Sequence, residues 1–197
     1  MPAKTPLPVT LTGHHVLLEP LTTDHLGDLF AAGGGDDEVW RWQGGPTPRT
    51  QEELGFKLAE LLAAAEQGVY IPFAVVHRAT GRAVGWTTYM DVDTENERLE
   101  IGWTWYGRAS WRTAVNTETK LLLLSHAFEE LGMGRVQFKT DHMNERSQAA
   151  IARLGAQREG ALRRHRQRPD GTWRDSVYFS ILAEEWPAAK ARLSARI

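Results

Sequence analysis

Leu99-Glu100-Ile101-Gly102-Trp103-Thr104-Trp105-Tyr106 and, just beyond Gly107, Trp111-Arg112-Thr113-Ala114-Val115-Asn116 set the architecture of this chain. The first run is rich in aromatic and branched side chains and reads as a strand. After the second, Leu121, Leu124, Ala127, Phe128 and Leu131 recur at three- and four-residue steps, the period of a long helix with one buried face; Gly132 and Gly134 end it. Arg135–Thr140 is again strand-like. Strand, helix, strand makes a βαβ unit, so the two strands run parallel through a right-handed crossover.

Upstream, Phe73–His77 and Ala83–Met90 flank the turn Ala79-Thr80-Gly81 as a hairpin, and the polar tract Asp91–Arg98 leads into the Leu99 strand. A strand at His15–Pro20, a helix over about Thr23–Ala32, the loop Gly33–Asp37 and a helix from about Thr50 to Glu66 come first. Downstream, Asn144 caps a helix over Glu145–Leu154 that Gly155 closes. A second hairpin follows, Gln157–Arg168 and Thr172–Leu182, turned by Pro169-Asp170-Gly171, and an amphipathic helix over about 183–196 ends the chain. The fold class is α+β: a mixed, mostly antiparallel, seven-stranded sheet with a central parallel βαβ unit and helices on both faces. Residues 1–197 show no repeat or linker and read as a single domain, its core over about 12–187.

Composition narrows the chemistry. The 197 residues include no cysteine, which removes disulfide scaffolds, thiolate-held metals and any acyl carrier on a protein thiol. Lys and Arg number 23 against 25 Asp and Glu, a net charge of −2, so no global field gathers DNA or an anionic membrane. The longest apolar run, Leu121–Leu124, falls far short of the roughly 20 residues of a bilayer span. Met1–Pro6 lacks the apolar block of a signal peptide, and a cytoplasmic setting is the expectation. The seven histidines are scattered without metal-ligand spacing, so no metal is expected; His14 and His15 read as pointing to opposite faces of a strand.

A helix that begins directly after a strand offers unpaired N–H groups at the positive end of its dipole, a ready phosphate site. Trp111–Asn116 is such a connection. With Glu100 before it and Asn144-Glu145-Arg146-Ser147, Ala150-Ile151 and Leu154-Gly155-Ala156 after it, the chain resembles the GNAT acetyltransferases, especially the branch of the ribosomal-protein alanine acetyltransferases. That family's pyrophosphate loop runs Gln/Arg-x-x-Gly-x-Gly/Ala. Here Trp111 stands at the first position, and Ala114 and Asn116 fill the glycine positions; the added side chains limit how closely a diphosphate approaches.

The resemblance implies acetyl-CoA as co-substrate and an N-acetyltransferase acting on a primary amine, either a protein N-terminus or a small molecule. It implies a coenzyme site made by Thr104, Trp105 and Tyr106 along the pantetheine, by Trp111, Arg112, Thr113, Ala114, Val115 and Asn116 at the diphosphate, and by Asn144 and Ser147. Glu100 is then the general base, directly or through water, and Ser147 the hydroxyl that stabilises the departing thiolate. Bland readings stand beside these: Glu100 as a carboxylate paired with an arginine, and Asn144 and Ser147 as a helix cap. Alternation sets Glu100, Gly102, Thr104 and Tyr106 on one face and Ile101, Trp103 and Trp105 on the other.

Trp40 and Trp42, in the glycine-rich loop, read as an apolar wall for the acceptor or as a lid packed on the core. Trp86, Trp103, Trp105, Trp173 and Trp186 read as core. Asp175 either receives the acceptor ammonium or pairs within the basic cluster Arg158, Arg163, Arg164, His165, Arg166, Arg168 and Arg174. The rival classes are a non-catalytic acyl-CoA-binding module and, from the arginine hairpin, an RNA-binding accessory protein. Neither DNA nor a membrane is an expected partner, and the chain is expected as a monomer or homodimer.

Overall fold

The computed structural model describes residues 2–168 and 170–197; Met1 and Pro169, the latter read above as part of a hairpin turn, lie outside them. Eight strands form one sheet in the order β1-β2-β3-β4-β5-β6-β8-β7. They are β1 (Leu11–Thr12), β2 (Val16–Pro20), β3 (Tyr70–His77), β4 (Arg82–Asp93), β5 (Arg98–Tyr106), β6 (Arg135–Asp141), β7 (Gln157–Gln167) and β8 (Trp173–Leu182). The strand beyond the expected seven is β1, whose two residues are too few to display an alternation. Among the described residues, only β5 and β6 pair in parallel.

The helices are α1 (Leu26–Gly33), α2 (Asp37–Trp40), α3 (Gln51–Glu66), α4 (Ala114–Ser125), α5 (Glu145–Arg153) and α6 (Trp186–Ser194). Helices α1 to α3 bury Leu29, Leu54 and Leu58 with Trp86 and Trp105 on one face of the sheet. On the other, α4 to α6 bury Leu123, Leu124, Ile151 and Leu193 against Phe73, Tyr89, Leu99 and Val136. The cap foreseen at Asn144 forms, its side chain accepting from Ser147 N, and Thr50, read only as the approximate helix start, caps α3 by accepting from Glu53 N.

Helix α4 departs from its apolar pattern by burying Glu118, Thr119 and Lys120 beside Val115, Leu123 and Leu124. Glu118 has a structural reason. Its carboxylate accepts the backbone N–H groups of His14, His15 and Val16 at 2.7, 2.6 and 2.7 Å, so these donors are satisfied where β2 begins. The two histidines therefore sit in a bend with their rings 4.6 Å apart rather than on opposite faces of a strand.

Strand β5 also departs from simple alternation. Trp86 pairs with Trp105 but Thr88 pairs with Gly102, so one β4 residue faces two of β5, and Trp103 takes a left-handed φ of 48°. This bulge reverses the side-chain parity beyond it. Tyr106 joins the core of Leu99 and Ile101, Trp105 joins the opposite one, and Trp103 is left 41% exposed.

Candidate active site

Strands β5 and β6 pair at Arg98, Leu99 and Glu100 and no further. Beyond that point β6 keeps its ladder with β8, β5 keeps its ladder with β4, and a cleft opens between them. The chain leaves β5 through a 3-10 turn at Arg108–Ser110 and enters α4, whose N-terminus lies at the open end. Thr113 is the cap, its hydroxyl accepting from Val115 N at 3.3 Å, while Arg112 takes a φ of 61°. The first-turn N–H groups of Ala114 and Asn116 have no intrahelical acceptor.

Trp111 braces this opening. Its Nε1 donates to Tyr106 O at 2.9 Å, and the Arg146 guanidinium, from α5, lies 3.9 Å from the ring centroid. A helix N-terminus with an arginine stacked on the nearby Trp111 suits a diphosphate, without the glycines absent from positions 114 and 116. Two main-chain carbonyls expected along the pantetheine already have donors: Gln43 Nε2 on Thr104 O at 3.0 Å, and Trp111 on Tyr106 O.

Glu100 stands at the fork, 1% exposed, on the face of α1 to α3. Its Oε2 accepts from Gln137 Nε2 at 2.9 Å and meets Lys139 Nζ at 3.1 Å, so the cation beside it is a lysine from β6 rather than an arginine. Its Oε1 is turned toward Gly102, where a Cβ would lie 3.0 Å away. Burial pushes the carboxyl pKa up, with Lys139 and Gln137 opposing the rise.

Below the bulge, Lys120 Nζ donates to Thr104 Oγ1 at 2.8 Å and lies 3.4 Å from Thr87 Oγ1. Burial pushes its pKa down to about 7. The unfolded chain keeps this proton until about pH 10.4. Between about pH 7 and 10 the unfolded state thus binds more protons, and this group makes stability rise with pH by up to about 1.4 kcal/mol per unit. Below the folded pKa the penalty is constant. Lys120→Met is expected to remove that rise, read from urea midpoints between about pH 7 and 9.5.

At the start of α5, Asn144 Oδ1 is spent on the cap at 3.1 Å from Ser147 N, leaving its amide N–H groups for other partners. Trp40 does not line an acceptor wall. Asp36 caps the short helix α2 and turns Trp40 inward, 3% exposed, where its Nε1 donates to Gly33 O at 2.8 Å and its ring packs on Trp86 and Trp105. Trp42 stays half-buried beneath Arg41. Trp103 and Trp173 are exposed, not core; Trp103 stacks by Tyr70 at 5.8 Å because the bulge expels it.

Asp175 is also displaced from the expected site. Alternation along β8 sets it with Val177 and Phe179, away from Glu100, and its Oδ1 accepts from Arg164 N at 2.8 Å. Gln137, Lys139 and Lys120 were missed in the sequence. Polar residues two apart on a strand parallel to that of Glu100 were the available signal for the first two, and a lone lysine in an apolar helix was the signal for the third.

A mixed sheet that parts after its single parallel pair, with a helix N-terminus and a buried carboxylate at the parting, defines a GNAT-type fold. The sequence profile of the acetyltransferase (GNAT) domain matches residues 15–157, and the chain belongs to that family. Among solved structures it is similar to a GCN5-related N-acetyltransferase from Brucella melitensis, with 31% identity, TM-score 0.92, and coverage of 98% of this chain and 87% of that one. It is 25% identical over 167 residues to the uncharacterized N-acetyltransferase YoaA of Bacillus subtilis, covering 85% and 93% of the two chains. With the uncharacterized N-acetyltransferase p20 of Bacillus licheniformis it shares 29% identity over 114 residues, 58% of this chain and 63% of that protein. The chain thus spans about three fifths of the length of two curated relatives it matches. No helix among the described residues is long and apolar enough to cross a membrane.

Proposed function

We propose that this protein transfers the acetyl group of acetyl-CoA to a primary amine by direct attack within a ternary complex. The supporting observation is that the α4 N-terminus and the carboxylate of Glu100 flank one opening in the sheet from its two faces, so coenzyme and amine meet at the gap between β5 and β6. When bound, acetyl-CoA supplies a thioester-activated acetyl group.

The chain's own residues do the rest. The idle N–H groups of Ala114 and Asn116, with Arg146, hold the diphosphate beside Val115, whose N–H is taken by the Thr113 cap. The main chain of Thr104 to Tyr106 and the Asn144 amide line the pantetheine, with Gln43 giving up Thr104 O. Glu100 Oε1 takes the proton of the attacking amine, and the Ser147 hydroxyl donates toward the sulfur. Trp42 and Trp103 flank the acceptor entrance. Positioning of the two reactants supplies about 7–11 kcal/mol, more than the base. With no cysteine in the chain, no protein thiol carries the acetyl group.

The acceptor is a protein N-terminus or a small amine. Thiol release from acetyl-CoA with a panel of amines and N-terminal peptides tests the reading. Free thiol is expected in equal amount to acetylated amine. Coenzyme binding without thiol release for any amine would make the chain a binding module. An acetylated side chain that turns over with substrate would contradict direct transfer.

A further inference from the structure

Helices α1, α2 and α3 pack against β3, β4 and β5. On the same face, β6 and β8 carry a polar row that includes Gln137, Lys139, Asp141, Arg174, Ser176 and Tyr178, in unbroken register from Arg135 opposite Leu182 to Asp141 opposite Ser176. Most of this row is internally matched. Asp141 receives both Nε and Nη2 of Arg168 at 2.8 Å, Lys139 lies on Glu100, and Ser176 Oγ is 2.9 Å from His165 Nδ1.

Arg174 is the exception. Its guanidinium is half-buried, and among the described residues it makes no hydrogen bond and no ion pair; its Nε is a buried donor without a partner. Burial lowers its pKa; the charges of Glu100 and Asp141 oppose that and Arg166 adds to it. Asp141 takes Arg168 on both oxygens and Met143 N on one, and makes no hydrogen bond to Arg174. A partly desolvated arginine with idle donors is a costly arrangement that an anion would repair, in the two-pronged geometry of a carboxylate.

We propose that Arg174 binds a carboxylate of the acceptor, and that the acceptor is an amine bearing a carboxylate on the same molecule: a free amino acid, or a peptide with an acidic residue at its N-terminus. This rests on the acetyltransferase reading above, since Glu100 lies on the same face and within the electrostatic reach of Arg174. The carboxylate fixes one end of the acceptor while the amine reaches Oε1 of Glu100.

The test pairs each acid with its neutral isostere: free amino acids against their amides, and peptides beginning with Glu against those beginning with Gln. Thiol release gives kcat and KM, and calorimetry with coenzyme A present gives acceptor affinity. Wild type is expected to favour the acid about ten- to hundredfold. Arg174→Gln should erase that preference through KM, Arg174→Lys should restore part of it, and Arg163→Gln, on the exposed part of β7, should leave it intact. Preference among free acids identifies a small-molecule acceptor, and preference confined to peptides identifies a protein one. If the acid binds no better than the amide, or Arg174→Gln leaves the preference unchanged, the proposal is overturned. Equal losses for acid and amide, with a fallen Tm, would assign Arg174 a structural role and overturn it as well. If no amine releases thiol yet the acid still binds through Arg174, the anion site stands and the transferase reading falls.

Discussion

Glu100→Gln is expected to lower kcat by about 10²–10⁴-fold while leaving coenzyme affinity within about twofold. Gln keeps the shape beside Gly102 but removes the carboxylate that the proposed mechanism uses to accept the proton. Its amide also deprives Lys139, which meets the wild-type Oε2 at 3.1 Å, of its nearer countercharge and leaves only Asp91 at 3.8 Å. The Tm should therefore fall as well, and coenzyme titration at a temperature well below it separates lost chemistry from lost folding. Because burial raises the Glu100 pKa, the wild-type acid limb of kcat should lie above the usual carboxylate range, with activity rising as pH passes it. In the Gln variant that limb should vanish. A variant with an unchanged profile and a loss below threefold would remove Glu100 from the chemistry.

Gly85→Ala is expected to destabilise the fold by about 3–5 kcal/mol, lowering Tm by roughly 10–15 °C. A Cβ at Gly85 would lie 2.0 Å from Trp105 O and 2.9 Å from Tyr106 Cα. Those are backbone atoms, so no side-chain rotation relieves the overlap and β4 must part from β5. The bulge at Trp103 and the Trp40, Trp86 and Trp105 packing depend on that pairing. Gly160→Ala is the control, since nothing lies within 4 Å of a Cβ there; its effect should stay within about 0.5 kcal/mol. Thermal unfolding of the two variants checks the contrast.

The elements most legible in the sequence were those whose signals are local. Asn144 announced a helix start because a short polar side chain can reach the idle N–H groups of a first turn. The βαβ unit followed from the change of period between Leu99 and Thr140. What escaped was set by contacts distant in the chain. The parity of β5 reverses at one residue in a left-handed conformation, and nothing in Gly-Trp-Thr-Trp marks Trp103 as that residue. Face assignments for Thr104 and Tyr106 therefore came out inverted. Glu118 is buried only because β2 begins above it, with donors more than a hundred positions away. Trp40 turned inward because Asp36 starts a helix too short to show a period.

The site was legible to a similar depth. Glu100 and the Trp111–Asn116 connection occupy the expected fork, since both were read from neighbours in sequence. The Lys139 and Gln137 partners of Glu100 come from the parallel strand, whose register no local pattern fixes. Asp175 and Arg174 lie on opposite faces because adjacent strand residues face opposite ways. One position decides which of the two shares a face with Glu100.

Amide hydrogen exchange with and without coenzyme A tests the central claim most directly, that the main chain of the parted strand and of the α4 N-terminus grips the coenzyme. Slowed exchange is expected at residues 104–106 and 113–116, with little change in β2 and β3. Binding heat without slowing at these positions, or no heat at millimolar coenzyme, would contradict it.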